Sequence, residues 1–326
     1  MQKVFVTRPI SRVGIDILKN AGYKVTLQPK PINLSQKELL TRVKGYDALL
    51  TLLTNKIDAA IMDAAGPQLK VISNYAVGFD NIDIEAAKKR NIIVTNTALP
   101  EINESVAEHT FALILALAHR LVEADRFTRA GKYHGWDPQL FLGRDIAGLT
   151  LGLIGLGNIG KMVARRASAF AMNILYHDVR RDEEFEKSFS ARHLFLEQLL
   201  SQSDIVSLHV PLLPSTRHLI STKQLRLMKK DALLINTARG PVVDETATLK
   251  ALYQKKIGGF ALDVYECEPA IDCNPRDRYE LRKLSNVIMT PHTASATVRT
   301  RDAMSRLAAQ NIIDALSGKK STASVT

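Results

Sequence analysis

The chain is poor in the residues that build metal sites, disulfide frameworks and membrane spans. It has two cysteines and one tryptophan, and 6% of its 326 residues are aromatic. Cys267 and Cys273 have no histidine or cysteine partners at zinc-ligand spacing, so no metal site is expected, and both are expected to be free thiols of a reducing cytoplasm. No segment approaches the ~18 consecutive apolar residues that span a bilayer. The opening MQKVFVTRPI lacks the charged, apolar, small-residue order of a signal peptide and reads as a strand. A soluble, cytoplasmic protein with no membrane partner is the expectation. The net charge of +11 could suggest nucleic acid, but Lys and Arg are dispersed along the chain, with no basic run longer than three and no interleaved aromatic platform. A basic surface that gathers anionic small molecules is expected instead, with no nucleic-acid partner. Repeats and low-complexity tracts are also missing.

What is present is length and alternation. A chain of this size exceeds one ordinary core and predicts two domains. Apolar runs at 3–8, 23–28, 47–53, 69–76 and 92–97 alternate with helical patterns near 11–21, 35–44, 57–65 and 83–90, which predicts a parallel α/β layer. A long helix is predicted from Asn103, a plausible N-cap, to a stop at Gly131. A second strand series follows at 149–155, 172–178, 204–210, 231–238, 259–264 and 286–291, and a last helix at about 295–317. The fold class is therefore α/β, with two doubly wound parallel-sheet domains.

GLGNIG places Gly155, Gly157 and Gly160 in the G-x-G-x-x-G spacing between a strand and a helix. The first glycine suits a tight turn, the second lets backbone approach phosphate, and the third lets the helix pack on the strand. The helix N-terminus can then hold a pyrophosphate. Asp178, at the end of the next strand, is positioned to accept hydrogen bonds from the adenosine ribose hydroxyls. That arrangement predicts NAD, with NADP a weaker alternative because the carboxylate repels a 2′-phosphate while Arg180 and Arg181 lie nearby to soften the preference.

Arg239, Glu268 and His292 each follow a strand of that second series, at the sheet edge where ligands bind in open α/β folds. Arginine binds a carboxylate through two parallel hydrogen bonds, histidine can pass a proton to a carbonyl oxygen, and a neighbouring acid orients the ring and favours its charged form. Asp263, at the end of its own strand, rivals Glu268 for that last part, and position alone favours neither.

The segments NYAVGFDNIDIEAA (74–87), SVAEHTFALIL (105–115), GLGNIG (155–160), HVPLLPSTRHLI (209–220), NTARGPVVDE (236–245), ALDVYECEP (261–269) and TPHTAS (290–295) stand in one order along nearly the whole chain. Together they resemble the D-isomer-specific 2-hydroxyacid dehydrogenases. The resemblance implies Arg239 as the carboxylate-binding residue, His292 as the acid/base and Glu268 as its partner, leaving Asp263 to contact the nicotinamide amide. It implies backbone contacts to a substrate carboxylate at Val77 and Gly78, and a cofactor lining of Asn158, Ile159, Asp178, Pro211, Thr216, Thr237 and Ala238. It also implies a Rossmann cofactor domain over 102–292, a discontinuous flavodoxin-like substrate domain over 1–101 and 293–326, and a homodimer.

Within that family, NYAVGFDNID, GWDPQLFLGRD (135–145) and TASATVRTRDAM (293–304) look most like glyoxylate and hydroxypyruvate reductases. Leu53, Val77, Trp136 and Phe141 are expected to wall the pocket and to favour a small 2-oxo or 2-hydroxy acid. Trp136 and Arg301 also occur in phosphonate dehydrogenases, but Val77 stands where those enzymes carry lysine. The same motifs are compatible with a D-lactate-type enzyme and, more remotely, with a non-enzymatic, cofactor-sensing corepressor-like protein. AIDCNPRDRYELRKL (270–284) is longer and more charged than the corresponding family linker, which bears on contacts at the cleft mouth. The nearly unbroken apolar run FALILALA (111–118) predicts a helix that a second subunit covers.

Overall fold

In the computed structural model, residues 1–268, 280–319 and 323–326 are described. They form two compact units, Met1–Ile102 with Ala296–Thr326, and Asn103–Ser295.

The first unit contains β1 (Lys3–Val6), α1 (Arg12–Asn20), β2 (Lys24–Leu27), α2 (Gln36–Arg42), β3 (Ala48–Thr51), α3 (Ala59–Ala65), β4 (Val71–Asn74), α4 (Ile84–Lys89), β5 (Ile93–Thr95) and α12 (Val298–Leu316). Its sheet is parallel, ordered β2-β1-β3-β4-β5. That is the flavodoxin-like order. β3 and β4 are buried at every position, as expected of strands covered on both faces. Short side chains start the helices: Ser35 forms a capping box with Glu38, and Asp58, Asp83 and Thr297 each accept the amide three residues on. Helices α1 and α12 meet at Gly14, where a Cβ would lie 2.2 Å from the Ser305 carbonyl oxygen.

The second unit takes in α5 (Pro100–Ala118) from Asn103 on, then α6 (Leu121–Arg129), β6 (Thr150–Ile154), α7 (Asn158–Ala169), β7 (Asn173–His177), α8 (Glu183–Phe189), β8 (Arg192–His193), α9 (Leu196–Gln202), β9 (Ile205–Leu208), α10 (Thr222–Leu227), β10 (Leu233–Asn236), α11 (Glu245–Tyr253), β11 (Gly259–Leu262) and β12 (Val287–Met289). The sheet order is β12-β11-β10-β9-β6-β7-β8, all parallel. Strand order reverses between β6 and β9, which is the switch point of a Rossmann sheet. The two-residue β8 has no periodicity of its own and is not foreshadowed by the sequence.

Three expectations change. The helix expected from Asn103 to Gly131 is two helices, α5 and α6, bent by 65°; Asn103 is not its N-cap but lies inside α5, which begins at Pro100, and Arg120 adopts a left-handed φ of 55° at the break. Phe111, Leu113, Ile114 and Leu117 of FALILALA are buried in this unit's own core with Leu151, Leu153 and Ile174. That surface is therefore already covered by its own chain and does not call for a partner. Cys267 is disulfide-bonded, so it is not the free thiol expected; Cys273 lies outside the described residues, as does the 270–279 part of the charged segment. No single helix among the described residues is long and apolar enough to cross a membrane.

Candidate active site

The glycine loop is built as its spacing requires. Gly155 has φ 97°, and a Cβ there would lie 2.5 Å from the His209 carbonyl oxygen at the end of β9. At Gly160 a Cβ would sit 2.3 Å from the Gly155 carbonyl oxygen, so only glycine lets α7 pack this close to the turn. Gly157 differs. It is the N-cap of α7, makes no side-chain cap, and its Cβ direction meets nothing within 4 Å. The amides opening α7 at Asn158 and Ile159 therefore have no capping side chain, which suits an anion. Asp178 closes the loop from the next strand: its Oδ2 accepts from the Leu156 amide at 2.7 Å and its Oδ1 from the Arg180 amide at 3.2 Å.

Pro211 and Thr216 are joined in one turn, with Thr216 Oγ1 donating to the Pro211 carbonyl at 2.6 Å and accepting from the Leu213 amide at 2.8 Å. Thr237 is buried, its hydroxyl 2.9 Å from that of Thr110 on α5. The Asn236 side chain then shapes the turn that carries Arg239. Its Oδ1 accepts from the Ala238 amide at 3.1 Å and its Nδ2 donates to the Arg239 carbonyl at 3.0 Å. Arg239 Nη1 donates to the Ala238 carbonyl at 2.8 Å. Immediately afterwards, Gly240 lies against the Tyr265 backbone so closely that a Cβ would be 1.8 Å from the Tyr265 carbonyl carbon. The turn bearing Arg239 thus rests on the segment that leads to Glu268.

His292 follows β12 in a left-handed conformation, φ 55°. Its Nδ1 is 2.8 Å from Glu268 Oε2. An ionised carboxylate only accepts, so Nδ1 carries the hydrogen of that bond. Among the described residues Nε2 has no protein partner, and the pair is partly exposed, with side-chain exposures of 26% and 29%. Of the two rival acids, it is Glu268 that meets the ring.

Asp263 does something the sequence did not announce. Fully buried, it accepts at Oδ1 from Thr290 Oγ1 at 2.6 Å and the Thr293 amide at 2.8 Å, and at Oδ2 from the Ala294 amide at 2.8 Å. It thereby holds the Thr290 hydroxyl before His292 and the two backbone amides after it. Burial pushes its carboxyl up, but the hydrogen bonds from His109, Thr290 and the two amides outweigh that and hold it below the usual range. His109, on α5, places Nε2 at 3.1 Å from Thr290 Oγ1 and 3.5 Å from Asp263 Oδ1. It belongs to the SVAEHTFALIL segment, yet nothing in its helical position singles it out. A second cluster was equally hidden: His218 Nε2 is 2.5 Å from Glu266 Oε1, and Glu266 and Glu245 exchange backbone-to-carboxylate bonds at 2.7 and 3.2 Å.

The profile of the D-isomer specific 2-hydroxyacid dehydrogenase NAD binding domain matches residues 111–294, the stretch that holds every one of these groups except His109 and Thr110. The chain belongs to the D-isomer-specific 2-hydroxyacid dehydrogenases. This dehydrogenase is 48% identical over 319 residues to a glyoxylate reductase of Thermofilum pendens, covering 97% of this chain and 92% of that one. Among solved structures it resembles a Thermus thermophilus protein at TM-score 0.92 and 40% identity, with both chains fully covered. It also resembles the Aquifex aeolicus D-lactate dehydrogenase complexed with NAD and lactic acid, at TM-score 0.83 and 31% identity over 97% of this chain and 96% of that one. The open Gly157 cradle, the uncapped α7 N-terminus and the Asp178 carboxylate fit a dinucleotide, so this dehydrogenase is an NAD-binding oxidoreductase.

In the first unit, Val77 and Gly78 lie on the turn after β4. Their carbonyls accept from the Asn96 and Asn74 side chains at 2.8 and 2.9 Å. Neither amide has an acceptor among the described residues. In the second unit Trp136 is 83% exposed. Phe141 packs edge-on to Phe127 at 5.2 Å, beneath the Arg120 guanidinium at 5.1 Å. A cavity of about 510 Å³ in this unit is bordered by Arg126, Arg282, Glu268 and Pro291, but neither Arg239 nor His292 is among its described lining residues.

Proposed function

We propose that the chain reduces glyoxylate or hydroxypyruvate with NADH, NADPH serving less well. The observation that carries this reading is the His292–Glu268 pair, held at 2.8 Å with Nε2 left for a ligand. When bound, NADH supplies the hydride that reaches the carbonyl carbon. His292 gives the proton from Nε2 to the carbonyl oxygen, and Glu268 keeps the ring turned so that Nε2 faces outward. Arg239 binds the carboxylate; Val77 and Gly78, whose amides have no acceptor among the described residues, are the substrate contacts assigned to the first unit. Asn158, Ile159, Pro211, Thr216, Thr237 and Ala238 line the cofactor beside the glycines and Asp178. Asp263 belongs to the set through the loop it holds. In this reading residues 102–292 are the cofactor domain, and 1–101 with 293–326 the substrate domain.

A small substrate is supported by the glyoxylate reductase named above at 48% identity, against 31% for the lactate enzyme. The phosphonate, D-lactate and non-enzymatic readings gain no comparable support. The homodimer now rests on a different surface. Helix α6 has no buried residue, and Leu121, Tyr133, Trp136 and Leu142 around it are 54%, 54%, 83% and 60% exposed, an apolar arm that a second copy would cover. Use of NADH fits an enzyme of the cytoplasm. The test is a panel of 2-oxo acids assayed with NADH and NADPH. Glyoxylate or hydroxypyruvate with NADH should give the highest kcat/KM. A phosphorylated, dicarboxylic or aromatic oxo acid ahead of both by about tenfold would refute the small-substrate reading, since one or two methylenes discriminate by only ~1–3 kcal/mol.

A further inference from the structure

Three cations attach to the short segment that follows Asp178, Arg180 and Arg181 within it and Lys161 through Asp182, and the chain disposes of two of them. Lys161, in the first turns of α7, pairs with Asp182 Oδ2 at 2.6 Å. Arg181 is held by Glu186 through two parallel bonds, Nε to Oε1 at 2.9 Å and Nη2 to Oε2 at 2.8 Å. Arg180 has no side-chain partner among the described residues. Glu186 is itself anchored from below: its side chain is only 14% exposed and its Oε1 accepts from the Tyr176 hydroxyl at 2.8 Å. That hydroxyl in turn accepts from the Asp182 amide at 2.8 Å. Tyr176 is fully buried and packs edge-on to Phe185 at 5.8 Å. The Arg181 and Tyr176 hydrogen bonds hold the Glu186 carboxyl down at about 2, so the clamp is ionised throughout the working range.

We propose that Glu186 is a cofactor-selecting residue: by clamping the Arg181 fork it withholds from a 2′-phosphate the guanidinium that would otherwise bind it beside Asp178. The proposal rests on the dinucleotide reading of the glycine loop. Selection against a 2′-phosphate then has two parts, repulsion by Asp178 and removal of the planar, bidentate donor that phosphate prefers. Asp182 does the same for Lys161. A loose surface ion pair would be a weak clamp, but this one is bidentate, and its acid is fixed by a third bond to a buried ring.

The test measures binding by titration calorimetry on the full chain without added cofactor, using adenosine 2′,5′-bisphosphate and 5′-AMP as probes. Glu186→Gln keeps an acceptor for Tyr176 but loses the charge. It should tighten the 2′,5′-bisphosphate about tenfold and leave 5′-AMP unchanged. Arg181→Ala alone should change neither probe, because the clamped guanidinium contributes nothing. The double variant should lose the gain. Unchanged 2′,5′-bisphosphate affinity in Glu186→Gln overturns the proposal, and so does a gain that survives in the double variant, which would mark mere loss of negative charge. Weaker 2′,5′-bisphosphate binding in Arg181→Ala overturns it independently. A wild-type chain that binds neither probe overturns the dinucleotide reading as well, which separates the two failures.

Discussion

Asp263→Ala removes the acceptor that fastens both sides of the His292 loop. Three bonds of 2.6, 2.8 and 2.8 Å disappear, and the donors left behind include the Ala294 amide, in a residue 5% exposed. Each hydrogen bond to a charged group is worth ~1.5–3 kcal/mol, while relieving the desolvation of a buried carboxylate returns part of the total. The net cost should be ~3 kcal/mol. For a unit of roughly 150–250 residues, that lowers Tm by about 6–12 °C. Asp263→Asn should recover little of it, since the amide nitrogen would face one of the donors. The pH dependence has a definite sign. The carboxyl titrates below its ordinary value in the fold, so its contribution is complete above the unfolded value of about 3.9 and is lost as pH falls through the lower folded one. Thermal melts of wild type and variant, followed by circular dichroism from pH 7 down to pH 3, should therefore converge toward acid. A pH 7 difference under ~1 kcal/mol, or one that widens as pH falls, would refute this account of Asp263.

His292→Ala should lower kcat by about 10²–10⁴-fold while NADH affinity holds, because the proposed phosphate site is Gly157 with the α7 N-terminus and not His292; near-normal turnover in a stopped-flow assay would remove His292 from the role. Arg239→Ala should raise KM for the oxo acid and lower kcat together, and a kcat effect alone would show that the guanidinium does not bind the carboxylate. In solution the chain should be a two-fold dimer at micromolar concentration, and a monomeric mass by light scattering would contradict a partner on the Leu121–Leu142 arm.

All strands but β8, the starts of α1 to α4 and the glycine loop were legible because each depends on neighbours in sequence. A parallel strand buried on both faces is a short apolar run. Asp58, Asp83 and Thr297 cap helices by bonding an amide three residues away. Gly155 and Gly160 are demanded by a turn only a few residues long. The order of Arg239, Glu268 and His292 after successive strands was also legible, since strands of one parallel sheet end at one edge.

The rest depended on contacts between residues far apart in the chain. No glycine or proline marks the break at Arg120, and hydrophobicity alone cannot say whether FALILALA is covered by its own sheet or by another subunit; packing against Leu151 and Leu153 decides it. Spacing could not separate Asp263 from Glu268, because both follow β11; only the path of the chain sends Glu268 to the ring of His292 and Asp263 to the amides of Thr293 and Ala294. Likewise Arg181 reads as an open cation until α8 brings Glu186 back onto it. Periodicity and turn chemistry are local, so the sequence by itself determined the elements and the kinds of residue at the sheet edge. Which partner each charged group takes is settled by the enclosed geometry, where a buried charge must find a mate, and only the tertiary structure decided that.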